Sequence, residues 1–502
     1  MNTPPSPASP AFTGRGYDFV AALPAQNLIG GRFQAPSQPS GELPILNPRH
    51  GREMSRVLLS GAADVDAAVK AARAAAPAWA ELPIRERALV FYRLRQLLVR
   101  DFEELAWLIS HENGKVIDQA RAEVEKAIEC VEFGCSLPNL AAGTQLEVSR
   151  GVTCELTYAP LGVVAGITPF NFPLMVPLWM IPQAIVGGNA FILKPSEQTP
   201  LSAMLLGRLF AEAGLPDGIY NIVQGGRETV EALCDHPGIA AVGFVGSTKV
   251  AKLVYGRACA AGKRALCLGG AKNHLIVVPD ADPDVTVDNI VASFTGCAGQ
   301  RCMAAANLVA VGEVDDIIEA VCQKAAALSA TEGVGPLTTD ASRQRILSII
   351  AQAEADGARV RVDGRGAASG EGFYLGATVL DGVDPGSRAA QEEIFGPVLS
   401  IIRVKTLEEA IKIENDNPYG NASTVYTTSG DVARLVMGRV QAGMCGVNVG
   451  VPVPREPFGF GGWNDSKFGH GDITGWDGFR FWTHVRKITT KWALQKDQTW
   501  LN

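Results

Sequence analysis

Between residues 161 and 268, short apolar runs alternate with helical patterns, and no other feature constrains the fold as tightly. Gly162-Val163-Val164-Ala165-Gly166-Ile167 is an apolar run of strand length, and residues 190–194, 219–223 and 241–245 are similar. Helical periodicity fills residues 200–213 and 249–261. Strands that are apolar on both sides must be covered on both faces, so the pattern predicts a parallel sheet between helical layers. A second series starts at His274-Leu275-Ile276-Val277-Val278 and continues through residues 307–311, 399–404 and 444–449. The expected fold class is α/β, with two doubly wound open sheets joined near Gly269-Gly270 and a cleft between them.

Other segments fall outside these series. Residues 69–135 read as mostly helical, residues 151–158 alternate like an edge hairpin, and residues 486–492 read as an isolated terminal strand. A hairpin and a terminal strand outside the main sheets suit subunit contacts. The expected division is a disordered, Pro- and Ser-rich lead-in at 1–16 and a first domain at 17–142 and 160–268. A second domain covers 269–470, and a small β arm covers 143–159 and 480–502.

Composition excludes several classes. Against 45 basic residues stand 52 acidic ones, a net charge of −7, which argues against a nucleic-acid binder or an anionic-membrane binder. The ten cysteines form no C-x-x-C pair and the six histidines no H-x-x-x-H pair, so neither a disulfide scaffold nor a metal site is expected. The apolar run at residues 174–186 is interrupted by Pro177 and Pro182 and is shorter than the roughly 20 residues of a membrane span. Residues 1–16 lack the apolar core of a signal peptide, so the cytoplasm is the default expectation, with an organelle matrix as the lesser option.

Chemistry concentrates in a few motifs. In Gly299-Gln300-Arg301-Cys302 a cysteine follows a glycine turn and a fixed arginine. A neighbouring cation favours thiolate, the reactive form, so Cys302 is the candidate nucleophile. Asn171, in Thr168-Pro169-Phe170-Asn171-Phe172-Pro173, lies just past a predicted strand, where ligands bind in open α/β sheets. Its amide could donate to an oxyanion. Lys194-Pro195-Ser196-Glu197 ends the next strand, and a carboxylate there pairs with a ribose diol and repels a 2′-phosphate, favouring NAD over NADP. Gly246-Ser247-Thr248 opens a helix, where backbone N–H groups can meet a pyrophosphate. There is no G-x-G-x-x-G. Glu393 and Phe395, in Glu392-Glu393-Ile394-Phe395-Gly396-Pro397, could reach the nicotinamide ribose and ring. Thr168 and Phe170, beside Asn171, are expected to face the same cofactor.

Together these blocks resemble the aldehyde dehydrogenase superfamily from about Asn27 to Trp492. The resemblance implies a Rossmann-like NAD domain, a catalytic domain and an oligomerisation arm, assembled as dimers or tetramers. It implies Cys302 as nucleophile, Asn171 with the Cys302 backbone N–H as oxyanion hole, and Lys194, Glu197, Ser247 and Glu393 as NAD contacts. Hydrolytic members carry a water-activating glutamate in a Glu-Leu-Gly-Gly-Lys block. This chain reads Leu266-Cys267-Leu268-Gly269-Gly270-Ala271-Lys272-Asn273-His274, which offers Leu268 or Cys267 instead. Water attacks a thioester slowly without a base, whereas a thiol with a pKa near ~8.5 is already partly thiolate. That absence points to coenzyme A as acyl acceptor.

The Gly-Ala-Lys-Asn-His block, the Val176-Pro177-Leu178-Trp179-Met180 run and Val447-Asn448-Val449-Gly450-Val451-Pro452 resemble the methylmalonate-semialdehyde branch. The implied activity is oxidation of methylmalonate or malonate semialdehyde to propionyl-CoA or acetyl-CoA. A small anionic aldehyde needs a cation. Arg301 matches one arginine of that branch; where the other is expected, Glu123-Val124-Glu125-Lys126 places Lys126, which keeps the charge without the bidentate fork. Arg121 is about 140° away around a helix at roughly 100° per residue. Two other readings stay open: a non-acylating dehydrogenase of another anionic aldehyde, and a catalytically silent homologue, against which intact Cys302 and Asn171 count.

Overall fold

A computed structural model describes residues 24–492. The expected lead-in at 1–16, the start of the first domain and the end of the arm lie outside the described residues. An eight-stranded sheet is centred on five parallel strands in the order Tyr220–Ile222, Ala190–Lys194, Val163–Ile167, Ala241–Val245, Arg264–Leu268. Val163–Ile167, Ala190–Lys194 and Ala241–Val245 are buried at every position, as a sheet covered on both faces requires. The chain order reverses between Val163–Ile167 and Ala241–Val245, the switch point at which such sheets open a ligand crevice. Lys467–Phe468 joins this sheet antiparallel to Arg264–Leu268, although it falls within residues expected in the second domain. Two residues carry no periodicity from which that pairing could be read.

The second sheet has seven strands, ordered Arg359–Val362, Thr378–Asp381, Val398–Val404, Ala305–Val311, Asn273–Val277, Ala422–Tyr426, Met444–Val447. All neighbours are parallel except the Arg359–Val362 edge. The chain passes from one sheet to the other between Leu268 and Asn273. A Cβ on Gly269 would fall 2.7 Å from the Thr248 hydroxyl, and one on Gly270 would fall 2.4 Å from a Glu393 carboxylate oxygen. Gly269 and Gly270 therefore have no room for a side chain.

Met175–Val186 is a helix buried on all sides, so its apolar run serves the core. Among the described residues no helix is long and apolar enough to cross a membrane. The terminal strand Thr483–Lys491 is not isolated: it pairs with Val152–Pro160 along its whole length, and Thr144–Ser149 completes a separate three-stranded sheet. This arm leaves Leu146 and Val148 exposed, and Trp492 at its end is 84% exposed.

Candidate active site

A cleft of about 1300 Å³ is lined from both sheets. Every residue expected from sequence to be catalytic or cofactor-binding lines it: Cys302, Asn171, Thr168, Phe170, Lys194, Glu197, Gly246, Ser247, Glu393 and Phe395. The two residues expected to hold the substrate anion, Arg301 and Lys126, do not.

Cys302 follows a tight segment. Cys297, Ala298 and Gly299 all have positive φ (55°, 53° and 69°), and the first two store backbone strain because they carry a Cβ. Gly299 cannot be replaced simply, since a Cβ there would lie 2.0 Å from the Gly396 carbonyl oxygen. Gln119 accepts from the Cys297 N–H at 2.8 Å, and the Gln300 side chain accepts from the Thr338 N–H at 3.1 Å. Asn171, buried, donates through Nδ2 to the Gln300 carbonyl at 2.9 Å, which ties the oxyanion candidate to the nucleophile loop. An amide has two N–H donors, so the second is available to a ligand.

Burial pushes the Cys302 thiol up to about 12, and the Glu393 carboxylate adds to that rise. The N–H groups of Cys302 and Met303 oppose it, followed by Arg301. Arg301 thus acts in the direction expected from sequence but is outweighed by burial. Its Nε donates to Cys297 Sγ at 3.3 Å, and its guanidinium lies over Gly296, where a Cβ would sit 2.5 Å away. Glu393 is itself raised to about 7 by burial, against an Ala271 N–H donating at 3.0 Å and the charges of Lys272 and Arg345.

The cofactor end fits a dinucleotide. Lys194 donates to Glu197 at 2.8 Å. Burial works to raise the Glu197 carboxyl, but the charge and hydrogen bond of Lys194 outweigh it, and the group stays below the usual carboxylate range. The helix Thr248–Ala260 begins at Ser247, whose side chain makes no capping bond, so the first N–H groups are left for an anion. Phe170 meets Phe395 edge-to-face at 5.9 Å across the cleft. Lys126 instead donates to Glu129 at 2.8 Å and Glu456 at 3.1 Å. Arg121 pairs with Glu103 and Asp118 at the surface.

The chain matches the aldehyde dehydrogenase family over residues 34–488. The chain belongs to the aldehyde dehydrogenase family. Within that family it is 44% identical over 476 residues to malonate-semialdehyde dehydrogenase 2 of Geobacillus thermodenitrificans, covering 93% of this chain and 98% of the relative. It is 43% identical to a malonate-semialdehyde dehydrogenase of Pseudomonas aeruginosa, covering 93% and 96%. A Sinorhizobium meliloti structure complexed with NAD, named for methylmalonate-semialdehyde dehydrogenase, superposes with a TM-score of 0.92 at 41% identity, covering 95% and 99%. The Oceanimonas doudoroffii methylmalonate-semialdehyde dehydrogenase also gives 0.92, at 39% identity, covering 94% and 99%.

For an aldehyde dehydrogenase, the strand end at Leu268 is telling. Leu268 and Cys267 are both buried, and neither brings a carboxylate to the cleft. Sequence reasoning overlooked several supports of the site. Glu123, buried with Lys115 in an ion pair, accepts from the Leu174 and Met175 N–H groups. The Lys115 ammonium sits 3.7 Å over the Phe172 ring, and Asn113 donates to the Phe170 carbonyl at 3.0 Å. The loop bearing Asn171 is thereby fastened on both sides. Asn273 and Asn421 were also overlooked; both bond to the Cys302 carbonyl. Asn273 lay inside the Gly-Ala-Lys-Asn-His block, the one sequence signal that could have flagged it.

Proposed function

We propose that this chain catalyses the NAD-dependent, CoA-acylating oxidation of malonate or methylmalonate semialdehyde, giving acetyl-CoA or propionyl-CoA with loss of CO2. One observation carries the reading: Cys302 and Asn171 share a dinucleotide-sized cleft whose strand end at Leu268 bears no carboxylate. In this mechanism the Cys302 sulfur attacks the aldehyde carbon, and Asn171 with the Cys302 N–H holds the oxyanion. Lys194 and Glu197 hold the adenosine ribose, the helix start at Ser247 meets the pyrophosphate, and Glu393 and Phe395 orient the nicotinamide end. Bound NAD supplies a hydride acceptor. Cys302 then carries a thioester, whose acyl group loses CO2 and passes to the CoA thiol. Arg301 and Lys126 stay candidates for the substrate carboxylate, although each already has a partner.

A second reading has support in Glu393. Its carboxyl is held near 7 and acts on the Cys302 sulfur, so it could activate water and release a free acid. We further propose a homo-oligomer, dimer or tetramer, built through the arm that exposes Leu146, Val148 and Trp492. A cytoplasmic site of action agrees with ten cysteines that are all unpaired. The test is an aldehyde panel: malonate, methylmalonate and sulfonated semialdehydes and uncharged propanal, each with and without CoA. Malonate or methylmalonate semialdehyde with CoA should give the highest kcat/KM. Equal efficiency with propanal would overturn the substrate class.

A further inference from the structure

Three alternate carbonyls of the nucleophile segment are each held by an asparagine amide. Asn171 donates to Gln300 O at 2.9 Å, Asn273 and Asn421 both donate to Cys302 O at 2.8 Å, and Asn273 also donates to Ala304 O at 2.8 Å. The Asn273 side-chain oxygen accepts from the Ala422 N–H at 3.1 Å, which locks Asn273 to the strand that Asn421 immediately precedes. Both residues are buried. Asn273 opens, and Asn421 immediately precedes, one of two adjacent parallel strands, Asn273–Val277 and Ala422–Tyr426. Asn273 lies opposite Ala305, the first residue of the strand that leaves the nucleophile loop. Three strand starts therefore converge on one peptide group.

That peptide joins Cys302 to Met303. Its carbonyl receives two amide donors, and its N–H belongs to the residue next to the sulfur-bearing one; the backbone N–H groups of Cys302 and Met303 both oppose the rise that burial imposes on the thiol. Donors on a carbonyl oxygen polarise the amide and strengthen its N–H as a donor; such cooperativity adds ~10–30% per bond. We propose that Asn273 and Asn421 are positioning residues of the nucleophile: their paired amides hold and polarise the Cys302–Met303 peptide, and so strengthen the Met303 N–H as a donor beside the thiol. The inference rests on Cys302 being the nucleophile. Neither amide titrates near neutral pH. The charged groups acting on the sulfur are Glu393, from the segment before Val398–Val404, with Lys272 and Arg345 behind it, and Arg301 from the loop itself. Loss of the clamp should displace the pH profile of the thiol without adding a new titration.

The experiment measures the rate at which iodoacetamide alkylates Cys302 in the full chain between pH 6.5 and 10, read by mass spectrometry of the Cys302 peptide. Asn421→Leu keeps the side-chain size and removes one donor; Asn273→Leu removes two. Asn421→Ser is the gentler companion, retaining a short donor should the leucine variants fold poorly. The expected result is alkylation roughly three- to tenfold slower at pH 8 in Asn421→Leu, with kcat lower by a similar factor and NAD affinity unchanged. Asn421→Ser should fall between it and the native chain. An unchanged alkylation profile in a variant that still binds NAD overturns the proposal, whether or not kcat falls, because a purely structural clamp would leave the thiol's titration in place. Turnover persisting in Cys302→Ala would instead overturn the nucleophile assignment beneath it.

Discussion

In the first sheet the residues in and beside the cleft close or follow their strands, whereas in the second they open or precede them. Thr168 comes after Val163–Ile167, Lys194 closes Ala190–Lys194, Gly246 comes after Ala241–Val245, and Leu268 closes Arg264–Leu268. Across the cleft, Asn273 opens its strand, Cys302 comes before Ala305–Val311, Glu393 and Phe395 before Val398–Val404, and Asn421 before Ala422–Tyr426. The carboxyl edge of a parallel sheet leads into helix N-termini, which suit an anionic dinucleotide. The amino edge has no such dipole ends, and here it is built of short tight segments pinned by side-chain amides. In the proposed mechanism one edge binds the cofactor and the other holds the reactive group still.

Four substitutions would break or sharpen this contrast. Cys302→Ala, on the amino edge, should lower kcat by at least about 10⁴-fold and leave NAD affinity within a factor of about two, checked by steady-state kinetics and calorimetric titration. Asn171→Ala tests the one chemical residue on the carboxyl edge: kcat should drop about 10²- to 10³-fold with the KM for NAD little changed. A loss confined to KM would return Asn171 to the binding side. Lys194→Ala should do the reverse, raising the KM for NAD about tenfold or more while kcat falls less, because it leaves Glu197 without its cation.

Glu393→Gln gives the smallest effect, and its sign is set by charge. As pH rises through about 7 the native carboxyl ionises beside Cys302 and disfavours thiolate. Removing that charge lets thiolate form at lower pH, so alkylation of Cys302 between pH 7 and 9 should speed up by less than about tenfold. Slower alkylation would mean that Glu393 assists the thiol instead of opposing it.

The binding edge was nearly all legible in the sequence, and the chemical edge only in part. Thr168, Lys194, Glu197 and Ser247 sit where apolar runs end, and a run's end is visible without a structure. Cys302 and Glu393 were found through their motifs. Asn273 and Asn421 were not, because their shared partner is a backbone carbonyl 29 and 119 residues away in the chain, and only strand register brings it to them. Ala422–Tyr426 was missed as a strand because Ser423 and Thr424 interrupt its apolar character; in the fold both are buried. Arg301 was expected to activate Cys302 because the two are adjacent in sequence. Adjacency does not fix direction, and its guanidinium turns toward Cys297.

In the proposed mechanism the Cys302 thioester awaits a thiol because no base activates water at Leu268. The most direct test mixes enzyme, NAD and malonate semialdehyde without CoA in a stopped-flow instrument, followed by intact-mass analysis. The expected result is a burst of NADH equal to the enzyme subunits, then a slow steady state, an acyl adduct on Cys302, and rapid turnover to acetyl-CoA once CoA is added. Sustained NADH formation without CoA at the rate seen with it, yielding free acid and no adduct, would rule out CoA as the required acyl acceptor.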